Sequence, residues 1–422
     1  MHLTRRSILG STLLLGATAP ARGTSPDWAA IRKEFPLRND LIYMNAANIA
    51  PAPAQVLREY QRQLMDFQSN PSFQNREVYK TLAESVRGRI ARYLHARPEE
   101  IAITRNTSEG NNLIAQGVRL KPGDEVLITT HNHPSNTESW KLRASQSGAS
   151  VVTAPVPVYA KTSTELVDSI ARLVTPRTRV VAVSHFTNTT GLLYPVRDLA
   201  ALARKAGAWL HVDGAQSFGW MNLDLPALGM DSFTGSMHKW PMGPLENGIL
   251  YIKQDRLGEV SPAVLSVDYW SDKPTEARRF EMLGQRDDPK LRAMEKTLDF
   301  LEKLGAAAIE ARAIEVSNKL REAVRSLPNA ELRGHGDPSI SGPVIKVDFR
   351  GRELPALYAQ LWDKHRLSIA VTPEGDAKGL RFSPHIYNTE GEIDAVAAAL
   401  RQSAGSYAAG GPASTGKAAQ AT

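Results

Sequence analysis

Lys239 lies in Gly235-Ser236-Met237-His238-Lys239-Trp240-Pro241-Met242, among small and apolar residues. Lysines are seldom buried without a task. Burial disfavours the ammonium form, and the neutral amine is the nucleophile of Schiff-base chemistry. Asp213 closes the apolar run Ala208-Trp209-Leu210-His211-Val212 and precedes Gly214-Ala215-Gln216. A carboxylate there is either a turn residue capping the next segment or a group awaiting a buried cation. Thr130-His131-Asn132-His133 offers two imidazoles at the His-x-His spacing of a metal site, but no third ligand is near, so no metal is expected. The flat ring of His133 can instead stack on a planar cofactor. Arg105-Asn106-Thr107-Ser108-Glu109-Gly110 opens a helical pattern, as a plain N-cap or as an anion site at a helix start. A polar loop, His185 to Gly191, carries the amide of Asn188.

Each of these groups follows a candidate strand. Short apolar runs at 100–104, 125–129, 150–154, 179–184, 209–212, 232–235 and 249–252 alternate with helical patterns at 77–95, 108–118, 164–174 and 196–205. That alternation predicts an α/β fold, a mostly parallel sheet with helices on both faces. A long helical stretch at 290–326 follows. Strands at 344–349, 369–371 and 379–382, with helices at 355–365 and 390–402, then predict a smaller α+β domain. The expected division is an arm at 22–45 packing on the small domain, a large domain at 46–290, a small domain at 291–402 and a disordered tail at 403–422.

In an open α/β sheet, ligands sit beyond the carboxyl ends of the strands. A lysine, a carboxylate, a stackable ring, polar amides and a phosphate-type helix start therefore converge on one edge. Pyridoxal phosphate requires all of them: a lysine for its aldehyde, an acid facing its pyridine nitrogen and a cradle for its phosphate. Composition agrees with a soluble protein. The 422 residues are 42% hydrophobic and 23% charged. The net charge of +7 is spread without a basic run, which argues against nucleic acid as a partner. There is no cysteine, which removes disulfides, thiolate metal sites and cysteine nucleophiles.

His211-Val212-Asp213-Gly214-Ala215-Gln216 followed by Ser236-Met237-His238-Lys239 resembles the class V aminotransferase family of pyridoxal-phosphate enzymes, which includes cysteine desulfurases and isopenicillin N epimerase-like proteins. The resemblance runs from about residue 41 to 400 and implies the fold type I architecture. It implies that Lys239 carries the cofactor and that Asp213 pairs with the ring nitrogen. It also implies that Gln216, with Asn188 nearby, meets the ring hydroxyl and that His133 stacks on the ring. Thr107, Ser108, Ser236 and His238 match the family's phosphate-binding positions. Arg381-Phe382-Ser383 with Tyr387-Asn388-Thr389 resembles the block whose arginine clamps a substrate α-carboxylate. Gly284-Gln285 stands where relatives have Gly-Thr reaching the partner subunit's phosphate, so Gln285 and a homodimer are expected from the resemblance alone.

Thr4-Arg5-Arg6-Ser7-Ile8-Leu9, an apolar run to Leu15 and Ala19-Pro20-Ala21 read as a twin-arginine signal over residues 1–21. The run is too short to span a bilayer, and the expected location is the periplasm, with no membrane anchor after cleavage. Twin-arginine-exported proteins of this type are similar to periplasmic enzymes that tailor siderophores such as pyoverdines. The expected substrate is an amino acid or the amino-acid moiety of a secreted peptide, and the expected reaction is aminotransferase-like. Epimerisation and a C–S or β-lyase outcome are the alternatives. Cysteine desulfuration needs a persulfide-carrying cysteine and is not expected. A catalytically silent cofactor-binding protein would lack one of these groups, and all are present.

Overall fold

The computed structural model describes residues 26–266, 276–334 and 338–404. The expected signal at 1–21 and positions 405–422 of the expected tail lie outside them. A central sheet of seven strands has the order β2-β8-β7-β6-β5-β3-β4. Its members are β2 (Ile101–Thr104), β3 (Glu125–Thr129), β4 (Ser150–Ala154), β5 (Thr178–Ser184), β6 (Trp209–Asp213), β7 (Ser232–Ser236) and β8 (Gly248–Ile252). All pairings are parallel except those of β8, which runs antiparallel to β2 and β7. The runs are apolar on both faces, as a sheet covered on both sides requires. Val181, Val183 and Ile249 enter one core, while Val180, Ala182 and Leu250 enter the core on the other face.

The small domain is a four-stranded antiparallel sheet of β9 (Ala330–Arg333), β10 (Ile345–Phe349), β12 (Ala370–Thr372) and β13 (Gly379–Phe382), ordered β12-β13-β10-β9. Ile345, Val347, Phe349, Leu380 and Phe382 line its core with helices Ala306–Arg325, Leu354–His365 and Glu390–Ala404. Near the chain start, β1 (Ile42–Tyr43) pairs in parallel with β11 (Leu367–Ser368), so this arm lies against the small domain. The fold is therefore the fold type I architecture: a mostly parallel sheet flanked by helices, plus a smaller antiparallel domain.

Some boundaries differ from those read in the sequence. The helical stretch at 290–326 divides at Gly305, whose φ of 81° ends helix Lys290–Leu304 before helix Ala306–Arg325 begins. Met294 and Leu298 of the first helix pack in the large-domain core, while Val316, Leu320 and Val324 of the second pack in the small one. The change of domain thus falls near 305 rather than at 290. Residues 403 and 404, expected in the tail, complete the last helix.

One close approach sets the site. Helix Thr107–Gly117 lies so near β7 that a Cβ on Gly110 would sit 2.0 Å from Thr234 Oγ1 and 2.8 Å from Thr234 Cβ. Only glycine lets this helix bring both Thr107 and Asn111 to the strand ends. Gly110→Ala should cost about 1–3 kcal/mol of stability by overpacking. Gly88→Ala, also mid-helix but with no atom nearer than 3.9 Å to the new Cβ, should stabilise by about 0.5–1 kcal/mol. Denaturant unfolding of both variants checks the contrast.

Candidate active site

Asp213 ends β6 almost fully buried, at 3% exposure. Its Oδ1 accepts the Ala215 amide at 3.0 Å, and its Oδ2 accepts from Asn111 Nδ2 at 2.9 Å. Asn111 belongs to a longer chain of bonds. Its Oδ1 lies 2.9 Å from His211 Nε2, His211 Nδ1 lies 2.8 Å from Ser232 Oγ, and Trp209 Nε1 donates to that same Oγ at 2.8 Å. The direction of every bond follows. Asn111 gives its Nδ2–H to Asp213, so its Oδ1 accepts from His211 Nε2–H; in a neutral ring Nδ1 then accepts from the Ser232 hydroxyl, whose oxygen takes the indole N–H. Burial pushes His211 down to about 4, leaving a neutral ring whose Nε2–H donates to Asn111. The amide nitrogen then faces Asp213. Asn111 also donates to Ser135 Oγ at 3.2 Å.

Lys239 follows β7 by three residues. Its amine makes no hydrogen bond and no ion pair with any described residue, and burial lowers its pKa below the ordinary lysine value. The charge of Asp213 opposes that shift, and the charge of Arg381 reinforces it. Ser236, at the end of β7, accepts the Thr107 amide at 2.8 Å and lies 2.7 Å from Thr107 Oγ1. The start of helix Thr107–Gly117 and the β7 terminus are thus joined by hydroxyls at the place where a helix favours an anion. Ser108 is exposed and lines a cleft of about 440 Å³ with Arg105, Asn106, Glu246 and Val264. His238 Nδ1 is buried without a partner, and burial lowers this imidazole to about 4.

His133 is the N-cap of helix Pro134–Ser147. Its Nδ1 accepts the Ser135 amide at 3.2 Å and lies 2.8 Å from Ser135 Oγ. The ring is held in one orientation, and burial lowers its pKa against the pull of Asp213. Neighbouring Asn132 and Asn136 are structural. Asn132 Nδ2 donates to the Ala182 carbonyl at 2.8 Å, and Trp140 Nε1 donates to Asn136 Oδ1 at 3.0 Å. Among the described residues no three His, Cys, Asp or Glu side chains gather as metal ligands.

Arg381 enters from β13. Its Nη2 donates to Asn45 Oδ1 at 2.9 Å and its Nη1 to the Asn188 carbonyl at 3.3 Å, while Nε is buried without a partner. Burial lowers this guanidinium to about 10. The arm, the β5 loop and the small domain thus meet at one cation.

Two expected residues have further partners within the chain. Both ends of the Gln216 amide are engaged, Nε2 donating to the Ala47 carbonyl at 2.8 Å and Oε1 accepting from Trp240 Nε1 at 2.9 Å. One N–H hydrogen remains for a ring hydroxyl. Gln285, expected at a partner subunit's phosphate, is exposed and accepts from Arg76 Nη2 at 2.8 Å within its own chain. Asn111, His211 and Ser232 were missed as site residues. The signal was present in their register: His211 is two residues before Asp213 on one strand, so both side chains leave the same face.

The residues fit pyridoxal phosphate. An unpartnered buried-type amine, a fixed carboxylate, an oriented flat ring, the orphaned His238 nitrogen and a hydroxyl-lined helix start gather at the carboxyl ends of β3, β6 and β7. Comparison with known proteins agrees. A lysine-to-alanine variant of C-DES, with glycine covalently linked to its PLP cofactor, superposes with a TM-score of 0.80 at 24% identity, covering 89% of this chain and 99% of that one. The cysteine desulfurase CsdA from Escherichia coli gives 0.76, also at 24% identity, covering 90% and 98%. These likenesses show the fold, that of a pyridoxal-phosphate enzyme. The aminotransferase class-V model matches residues 42–396, and the chain belongs to that family. It is 32% identical over 391 residues to an isopenicillin N epimerase of Amycolatopsis lactamdurans, covering 89% of this chain and 98% of the relative. A probable cysteine desulfurase of Methanothermobacter thermautotrophicus is 27% identical over 405 residues, covering 89% and 98%. The cofactor is pyridoxal 5′-phosphate.

Removing Asn111 tests the chain of bonds. Asn111→Leu leaves Asp213 Oδ2 and His211 Nε2–H buried without partners and should cost about 1–3 kcal/mol in denaturant unfolding. Asn112→Leu, at its exposed neighbour, should stay within about 0.5 kcal/mol of the parent.

Proposed function

We propose that this class V enzyme is exported and acts at the α-carbon or amino group of an amino acid, or of the amino-acid moiety of a secreted peptide, by aminotransferase-like chemistry. The observation that carries the reading is the unpartnered Lys239 amine, which feels the charges of both Asp213 and Arg381. Bound at this site, the cofactor supplies the electron sink for a carbanion at the α-carbon. Arg381 binds the α-carboxylate through charge-assisted bonds. Asp213 holds the positive end of the cofactor ring. Lys239, with its ammonium form disfavoured, takes the α-proton as general base and gives it up again on the same side. His133 is fixed through Nδ1, so it offers a flat surface rather than a second mobile base.

Export rests on the twin-arginine pattern at residues 5–6, and tailoring of a siderophore such as a pyoverdine is the setting proposed for it. Assembly as a homodimer accords with exposed apolar side chains beside the cleft, Leu245 at 56% and Val264 at 45%. A persulfide-forming desulfurase is not proposed, because the chain holds no cysteine to carry the sulfur. The 32% identity to an isopenicillin N epimerase favours a second reading, epimerisation.

Amino acids deuterated at the α-carbon separate the two. Aminotransferase-like action gives a keto acid in step with loss of deuterium. Inversion of configuration with no keto acid and no modified peptide overturns the leading reading in favour of the second.

A further inference from the structure

The small-domain sheet is apolar on one face and charged on the other. Ala330, Leu332, Ile345, Val347, Phe349, Val371, Leu380 and Phe382 pack into or against the core, so the alternate residues leave the opposite face. Register places Arg381 opposite Lys346, and Lys346 opposite Arg333. Directly opposed residues have Cβ atoms about 5 Å apart, so three cations form one row.

Their partners are unequal. Arg333 bonds Asp348 at 2.8 Å, and Lys378 shares that carboxylate at 3.2 Å. Glu331, the other acid of this face, is held by the Tyr159 hydroxyl at 2.5 Å. Neither Lys346 nor Arg381 has a carboxylate within 4 Å among the described residues. Lys346 is 1% exposed and uses one of its three donors, on Thr372 Oγ1 at 2.5 Å. Burial and the two flanking guanidiniums lower it to about 7. Its stem passes over Gly379, where a Cβ would lie 3.2 Å from Lys346 Cδ.

Thr372 shares the face of Arg381 and is half-buried. Its oxygen accepts from Lys346, so its own O–H is free to donate. A neighbouring ring shows what this corner attracts. His131, whose pKa is lowered first by burial and further by the Lys346 charge, has its Nε2 3.3 Å from a carboxylate oxygen of Asp376 on an exposed loop. A buried cation without a counter-charge is costly, and an anion from outside relieves that cost.

We propose that Thr372, with the Lys346 charge behind its hydroxyl, forms a second anion subsite next to Arg381, and that the substrate is an acidic amino acid or acidic residue carrying two carboxylates. Arg381 takes one carboxylate and Thr372 the other. The inference rests on the reading of Arg381 as the substrate clamp given above.

Calorimetric titration with succinate, glutarate and adipate, against butyrate, valerate and hexanoate, tests it. These acids carry no amino group, so binding is read without any reaction at the cofactor. At least one dicarboxylate should bind about tenfold or more tighter than the monocarboxylate of equal length, and in Lys346→Met and Thr372→Val that ratio should fall below about threefold. No preference in the parent protein, or a preference that survives in Lys346→Met, overturns the subsite. Should Lys346→Met fail to fold, Thr372→Val is judged by the same ratio. A dicarboxylate preference in a protein that forms no cofactor adduct would uphold the subsite while the enzymatic reading fails.

Discussion

Everything at this site depends on keeping one carboxylate buried and aimed. Asp213 lies at the end of an apolar strand, where an unpartnered charge would be costly. The solution is a one-way chain of hydrogen bonds from Trp209 through Ser232, His211 and Asn111. Each member has a single allowed hydrogen position, so the carboxylate cannot rotate without leaving a donor empty. The helix that supplies Asn111 can approach only because residue 110 has no side chain. The same approach delivers Thr107 to Ser236. Packing of one helix against β7 therefore fixes both ends of the cofactor space.

Arg381 depends on longer connections. Asn45 of the arm and the Asn188 carbonyl of the β5 loop hold its guanidinium from two sides. The arm is fixed in turn by pairing with β11 and by the Asn45–Ser383 bridge. The position of this cation therefore depends on the joint between the arm, the β5 loop and the small domain. Lys346 lies opposite Arg381 on the same sheet face without adding a surface group.

The sequence made the chemistry-bearing residues visible because they follow strands. Apolar runs of four to six residues mark the strand ends of the large domain, and polar groups just past them stand out. Helix Ala54–Ser69 and helix Pro134–Ser147 escaped notice. The second begins just past the His-x-His pair, where Pro134 at the first helical position marks a helix start. The division at Gly305 was hidden because helical periodicity continues on both sides of it. Gln216 shows a different limit. Its type suits a ring hydroxyl, but its bonds to the Ala47 carbonyl and the Trp240 indole, which leave one N–H, arise from the tertiary fold. Lys346 was invisible for the same reason: its meaning comes from cross-strand register, which a single sequence does not display.

The most direct measurement is an absorbance spectrum of the purified protein before and after borohydride, followed by peptide mass mapping. The account predicts a visible cofactor band that disappears on reduction and a pyridoxyl adduct on Lys239. The absence of a band even after addition of pyridoxal phosphate would contradict it. So would an adduct on another buried lysine, Lys346 above all.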